Sequence, residues 1–301
     1  MPIRTPPPQT AAAAQTLPAG APPPGRPGGA VPEVGYPPGA RATWLFAGLL
    51  PAAVAVAECA GEPESPVLDA GLFPAERAAT ARACPARRRE FAAVRACARA
   101  AMTGLGLPPL PVLPNGEGPT WSRNAPRWPD GLTGSMTHCA GYRAAALAPT
   151  GAGHQLLSLG IDAEPNTPLP DGVRALALRP EEQHAVAALL ARRPDVAWDR
   201  LLVSAKESVF KAWYPLTGRW LGFGSCHITL LPGTTSFTVR LDLPGPAPAA
   251  LPTTRLHGHW RLLPHHPTPL IGTAVTVPRW SSAAGSAPRS RSAGAGAGVQ
   301  A

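Results

Sequence analysis

The sequence predicts an α+β protein of two similar halves, each a small, mostly antiparallel sheet with packed helices. Two observations carry this. Each half of the middle region offers helical segments bounded by proline or glycine together with several short strands. Neighbouring strand candidates are joined by short turns, as hairpins are. The 301 residues also leave about 240 once two low-complexity ends are set aside, room for one large domain or two small ones.

Those ends are residues 1–40, mostly Pro, Ala and Gly, and residues 281–301, mostly Ser, Ala, Gly and Arg. Neither offers enough apolar surface to offset its ordering entropy, so both are expected to be disordered. The remainder divides into an N-terminal lobe at 41–155 and a C-terminal lobe at 156–280. The net charge is +9; with Arg41 at the boundary counted in, Arg4, Arg26, Arg41, Arg289 and Arg291 against Glu33 hold +4 of it, leaving +5 on residues 42–280. That balance suits an anionic ligand or an acidic partner. Five cysteines, an odd number without a Cys-x-x-Cys, argue against a disulfide framework or a zinc knuckle. The apolar run Trp44–Ala57 is 14 residues long and contains Pro51, too short and broken to span a bilayer. With no apolar leader, the expectation is a reduced, cytoplasmic protein with no membrane partner.

Val54 and Val56 alternate after Pro51 and predict a strand. Pro74 predicts the first turn of a helix that runs to about Cys84, where Pro85 stops it. A longer helix is expected from Ala86 to Thr103, with Phe91, Val94, Ala98 and Met102 as its apolar stripe. Arg88, Arg95 and Arg99 line that stripe. They either reach over its edge to grip phosphate or form a solvated basic face. Residues 107–131 read as one long Pro/Gly/Trp loop, with Trp121 and Trp128 favouring a functional role. Leu132–His138 and Tyr142–Ala148 read as strands joined by Cys139-Ala-Gly141, with His138 at the junction.

Leu156–Glu164 alternates, so Asp162 and Glu164 project from one face at a strand end, about 7 Å apart. Such carboxylates repel unless a cation lies between them, and Mg²⁺ takes oxygen ligands of this kind. A solvent-exposed acidic strand end fits the pattern equally. Pro165–Gly172 reads as a loop, Pro180–Arg192 as a helix and Pro215–Gly224 as a turn region. His227–Leu231 and Ser236–Leu243 read as a hairpin, followed by strands near Gly258–Leu262 and Ile271–Val277.

The sequence contains only two lysines, Lys206 and Lys211, both inside Ser204-Ala-Lys-Glu-Ser-Val-Phe-Lys-Ala-Trp213. An ammonium differs from a guanidinium in what it binds and how readily it exchanges protons. Ser204 with Glu207 fits a capping box and predicts a helix starting there. Val209, Phe210 and Trp213 share one face; Glu207 and Lys211, four apart, share the other and could form a surface ion pair.

These pieces, in this order, resemble the 4′-phosphopantetheinyl transferases of the two-lobed surfactin and enterobactin-synthetase type. Gly160-Ile-Asp-Ala-Glu164 resembles the family's G-[IV]-D-x-E motif. Ser204 to Lys211 resembles its [ST]-x-K-E-[SA]-x-x-K motif, with Val203 where an aromatic is common. Gly134-Ser-Met-Thr-His-Cys139 resembles the [ST]-H segment before the acidic pair. Arg87-Arg-Arg-Glu-Phe91 through Arg99, and Lys211 through Trp220, resemble the enterobactin-type flanks. The likeness spans roughly residues 45–280. Val94 departs from a common glycine, and the loop from Gly116 to Trp128 exceeds the usual G-x-P-x-W-P.

The resemblance implies an active site between the lobes of a monomer. It implies transfer of 4′-phosphopantetheine from coenzyme A to a serine of an apo acyl, peptidyl or aryl carrier protein, with release of adenosine 3′,5′-bisphosphate. It implies that Asp162, Glu164 and Glu207 hold Mg²⁺, with Mn²⁺ an alternative. Glu207 would also accept the serine proton, directly or through a water on the metal. Lys211 would contact the pyrophosphate. Thr137 and His138 would bind the nucleotide cosubstrate, His138 through a phosphate, and Arg88, Arg95 and Arg99 would grip the 3′-phosphate. Lys206 would offer charge at the cleft edge. The Ala, Pro and Arg bias suggests a GC-rich bacterial genome, where this family often serves siderophore or secondary-metabolite synthesis. The rival reading is a non-catalytic basic binding protein: a degenerate transferase that holds coenzyme A without turnover, or a nucleic-acid binder using the Arg82–Arg99 helix and the tails. The latter lacks a zinc pattern or aromatic platform to support it, so no nucleic-acid partner is expected.

Overall fold

The computed structural model describes residues 44–61, 71–231 and 233–279. The two ends expected to be disordered lie outside the described residues. Strand β1 (Ala55–Ala60) forms where Val54 and Val56 alternate. Helices α1 (Pro74–Thr80) and α2 (Pro85–Gly104) each start on a proline, which needs no amide partner in a first turn. Helix α1 stops four residues before the expected Cys84. Thr80 Oγ1 bonds back to the Glu76 carbonyl, and the chain tightens into a turn with Ala83 N donating to Thr80 O.

The stretch 107–131 is not one structureless loop. It contains β2 (Leu113–Pro114), α3 (Thr120–Arg123) and β3 (Pro126–Arg127), with β2 and β3 paired antiparallel. Strands β4 (Leu132–Cys139) and β5 (Tyr142–Pro149) follow as a hairpin whose turn uses Gly141 at φ +70°. The sheet order is β1-β5-β4, and α2 packs Cys97, Ala98, Ala101 and Met102 against Ala145 and Leu147.

The second half begins with β6 (Leu156–Pro165), then α4 (Asp171–Ala177), α5 (Pro180–Arg192) and α6 (Trp198–Thr217). Helix α4 starts within the segment expected to be a loop. Strands β7 (Cys226–Leu230), β8 (Ser236–Leu241), β9 (Arg255–Leu263) and β10 (Leu270–Pro278) complete an antiparallel sheet of order β6-β10-β9-β8-β7.

Helix α6 corrects the reading of its own start. It begins at Trp198, six residues before Ser204. Trp198, Leu201 and Leu202 extend the buried stripe of Ala205, Val209, Ala212 and Trp213 by two turns. Ser204 is therefore interior, and its hydroxyl bonds Thr273 Oγ1 at 3.0 Å and caps nothing. Pro215 lies inside the last turn and not in a separate turn region. The helix stops at Gly218, whose φ of +62° suits a residue without a Cβ.

Two features join the halves. The edges of β4 and β6 meet through hydroxyls: Ser135 Oγ accepts from Ile161 N at 3.0 Å, and Thr137 Oγ1 accepts from Ala163 N at 3.0 Å. On another face the strap Trp44–Leu50 inserts Leu45, Phe46 and Leu49 into a core shared by Tyr142, Ala144 and Ala146 with Leu159, Ile161 and Leu270. Glu58 on β1 holds the strap by accepting from the Leu45 and Phe46 amides.

Candidate active site

The backbones of β6 and α6 touch at Gly160. A Cβ there would stand 1.9 Å from the Ser208 carbonyl oxygen, so only glycine lets the helix lie this close. Ser204 and Ser208 bond Thr273 on the neighbouring strand and fix the helix in register. This packing carries Glu207 and Lys211 over Asp162.

Lys211 Nζ donates to Asp162 Oδ1 at 2.7 Å and to the Ile161 carbonyl at 3.2 Å. The expected Glu207–Lys211 surface pair is thus replaced by an ion pair across to β6. Asp162 is 5% exposed, and its Oδ1 also accepts from Thr137 Oγ1 at 3.2 Å. Its Oδ2 is buried with no hydrogen-bond partner. Glu207 is partly buried nearby. Burial raises its carboxyl above the usual range, Lys211 opposes this and Asp162 adds to it.

Glu164 shares the strand face but takes its own cation, Arg200 Nη1 at 3.2 Å. Burial and then Asp162 raise its pKa, and Arg200 and Lys211 lower it. Among the described residues no three His, Cys, Asp or Glu side chains gather closely enough for a metal cluster. Asp162 and Glu207 converge on one cavity; Glu164 does not line it.

That cavity, about 350 Å³, lies between the lobes. His138 lines it, with Nε2 3.4 Å from Arg87 Nη1. Burial lowers the His138 pKa; Glu90 opposes, while Arg87, Lys211 and Arg143 push it down further. Thr137 also lines the wall, although its hydroxyl is engaged with Asp162 and the Ala163 amide.

The three expected arginines separate. Arg95 lines the cavity, with its guanidinium 3.5 Å from the Phe91 ring centroid and Nε donating to the Val112 carbonyl. Burial lowers its pKa to about 10, so it stays charged at neutral pH. Arg99 is turned away and pairs with the buried Glu76, which also accepts from the Val112 amide. Arg88 does not line the cavity, and its Nε is buried with no hydrogen-bond partner. Arg87, one residue earlier, takes the place at the wall beside Glu90. Its signal was available: Arg87, Phe91 and Val94 follow helical spacing along the face turned to the cleft.

Lys206 is not at the cleft edge. It is 1% exposed and donates to Glu182 Oε2 at 2.6 Å and to the Ala177 and Phe223 carbonyls.

Residues 75–148 match a family model described as the 4′-phosphopantetheinyl transferase N-terminal domain, and residues 158–266 match the 4′-phosphopantetheinyl transferase superfamily. The chain is 52% identical over 217 residues to the 4′-phosphopantetheinyl transferase Svp of Streptomyces mobaraensis, covering 72% of this chain and 84% of that protein. It is 41% identical over 226 residues to PptT of Mycobacterium tuberculosis, covering 72% and 92% respectively. Npt of Nocardia iowensis is 41% identical over 223 residues, covering 70% and 92%. The chain belongs to the 4′-phosphopantetheinyl transferase family.

Phosphopantetheinyl transferases use coenzyme A as substrate and are generally Mg²⁺-dependent. The residues of this transferase fit a divalent cation. Asp162 Oδ2 is a buried carboxylate oxygen left without a donor, and Glu207 offers a second oxygen ligand in the same cavity. One or two carboxylates completed by substrate phosphates is the usual way a protein binds Mg²⁺.

Proposed function

We propose that this transferase moves 4′-phosphopantetheine from coenzyme A onto the serine hydroxyl of an apo acyl, peptidyl or aryl carrier protein, releasing adenosine 3′,5′-bisphosphate. The observation that carries the reading is the convergence of Asp162, Glu207 and Lys211 on one cavity, with one carboxylate oxygen buried and unpartnered. The serine oxygen forms a bond to the phosphorus that bears pantetheine. The anhydride bond to the nucleotide breaks, and its electron pair leaves on adenosine 3′,5′-bisphosphate.

Such transfers depend mostly on positioning and charge stabilisation. Glu207 accepts the serine proton, directly or through water. Its raised pKa makes it a better base near neutral pH than an exposed glutamate. Lys211, fixed by Asp162, faces the pyrophosphate and stabilises the departing charge. Arg87, Arg95 and His138 hold the remaining phosphates at the same end. Asp162 and Glu207 would hold Mg²⁺ or Mn²⁺, which when bound neutralises charge on the pyrophosphate. Glu164 joins only if Arg200 releases it.

Both lobes of one chain supply cavity walls, which supports a monomer. A body charge of +5 suits an acidic carrier held over a small, transient surface. Among the described residues no helix is long and apolar enough to cross a membrane; we propose a cytoplasmic site of action.

The test is intact-mass measurement of an apo carrier after incubation with coenzyme A and Mg²⁺. A gain of one phosphopantetheine, lost with chelator and with Glu207→Gln, is expected. Binding of coenzyme A without transfer to any of the three carrier classes would favour the non-catalytic alternative.

A further inference from the structure

The cavity has two unlike ends. One is polar, with Arg87, His138, Asp162, Glu207 and Lys211; the other is apolar and aromatic, with Trp121, Phe210, Tyr214 and Pro215. Phe210, Tyr214 and Pro215 come from the last turns of α6. Trp121 comes from the other lobe, on α3. Its ring meets Phe210 edge-on at 6.3 Å and Tyr214 at 5.6 Å, and Trp220 backs it at 5.5 Å. These separations fall in the range where aromatic pairs attract beyond simple burial. Trp121 is thus the one ring from the first lobe in a four-ring cluster at the aromatic end, three of whose rings line the cavity while Trp220 lies behind them, largely exposed.

The chain around Trp121 is shaped to hold it there. Asn115 N donates to Ala125 O and Gly116 N to Arg123 O, closing the segment into a small loop. Gly116 at φ +75° and Gly118 at φ +87° make the bends that other residues resist. Asn115 Nδ2 reaches across the lobes to the Tyr214 hydroxyl at 3.4 Å. The loop is therefore anchored to the wall that it completes.

We propose that Trp121 is a specificity-determining residue: it forms the end wall of the cavity and limits the size of the acyl group that can be carried on the thiol of coenzyme A. The inference rests on the transferase reading and adds which thioesters are accepted. Charge sends the phosphates of coenzyme A to the polar end, because burying them among aromatic rings would be costly. The neutral arm with its thiol is the part suited to the aromatic end. An acyl group extends the arm beyond the sulfur, into the volume that the Trp121 indole fills. Free coenzyme A and short thioesters fit; long thioesters meet the ring.

The experiment compares the full-length protein with Trp121→Ala and Trp121→Phe. Each is given an apo carrier, Mg²⁺ and coenzyme A, acetyl-, hexanoyl- or dodecanoyl-coenzyme A, and intact mass identifies the group transferred. The expected result is that kcat/KM for dodecanoyl- relative to free coenzyme A rises about tenfold or more in Trp121→Ala. It rises little in Trp121→Phe, and the acetyl ratio is nearly unchanged in both. If the alanine variant is unstable by thermal unfolding, Trp121→Leu keeps an apolar side chain in the cluster and gives the same reading. An unchanged dodecanoyl ratio in variants that still transfer from coenzyme A overturns the wall. So does a wild-type protein that uses dodecanoyl- as readily as free coenzyme A. Absence of any transfer from coenzyme A by the wild-type protein instead overturns the transferase reading on which the wall depends.

Discussion

Lys211 is held by Asp162, 2.7 Å away on β6, and not by Glu207 on its own helix. One carboxylate oxygen is thereby committed to the ammonium and the other is left buried without a donor. Lys211→Met should strand a buried charge. We expect a stability loss of roughly 1–3 kcal/mol in urea denaturation and a fall in transfer of at least about 100-fold. Adding Asp162→Asn should recover much of the stability and none of the activity. Recovery of both would remove this pair from the chemistry.

Gly160→Ala tests the contact that brings the helix to the strand. The new Cβ would face backbone, with the Ser208 carbonyl oxygen at 1.9 Å and the Ala212 nitrogen at 2.8 Å. Backbone cannot rotate aside as a flexible side chain can, so α6 must shift. The expected outcome is a lower thermal midpoint and loss of transfer with coenzyme A binding reduced. A variant with unchanged midpoint and rate would contradict the close approach.

Lys206 and Glu182 form an ion pair whose side chains are 0% and 1% exposed. Removing one partner of such a pair leaves a charge without water, at a cost of about 3–5 kcal/mol. Lys206→Met should therefore lower the urea midpoint sharply. Glu182 also accepts from the Arg179 and Ile228 amides. Combining Lys206→Met with Glu182→Gln removes the stranded charge, keeps an acceptor for one of those amides and should recover part of the loss. Equal midpoints for the single and double variants would argue against a charge effect.

Glu58 gives the protein a pH-dependent element. Burial raises its pKa above 4.5, against the pull of the Tyr142 hydroxyl, the Phe46 and Leu45 amides and the Arg261 charge. The folded state then binds this proton more tightly than the unfolded state. The resulting stabilisation is full below 4.5 and is lost as pH rises through the folded value. Urea midpoints from about pH 4 to pH 7 should show Glu58→Gln gaining relative to wild type as pH increases. A constant difference would mean that Glu58 ionises as readily folded as unfolded.

Much of this was legible in the chain because period and punctuation agreed. The alternation through Leu156–Glu164 gave β6, and Pro180–Arg192 gave α5 with the same bounds. The start of α6 is hidden because Ser204 and Glu207 imitate a capping box, whereas both seryl hydroxyls of this stretch are used on Thr273. The two lysines drew attention together, yet burial separates them: Lys206 supports the helix and Lys211 faces the cavity. Spacing points Arg99 at a ligand because it cannot reveal that Glu76, 23 residues earlier, already occupies the guanidinium. Trp121 stands out in the sequence only as a tryptophan in a long loop; its partners lie about 90 residues downstream and meet it only in the folded chain.

The strap that inserts Leu45 and Phe46 between the lobes has a bearing on how this chain can be divided. Its interior is shared: residues before Pro149 and after Leu156 bury one another. Severed in the turn between them, each piece would expose half of a common core to water. The fragments should aggregate alone and regain activity only when produced together. The two lobes are therefore separate in shape but inseparable in folding, and the cleft between them is a by-product of that mutual dependence.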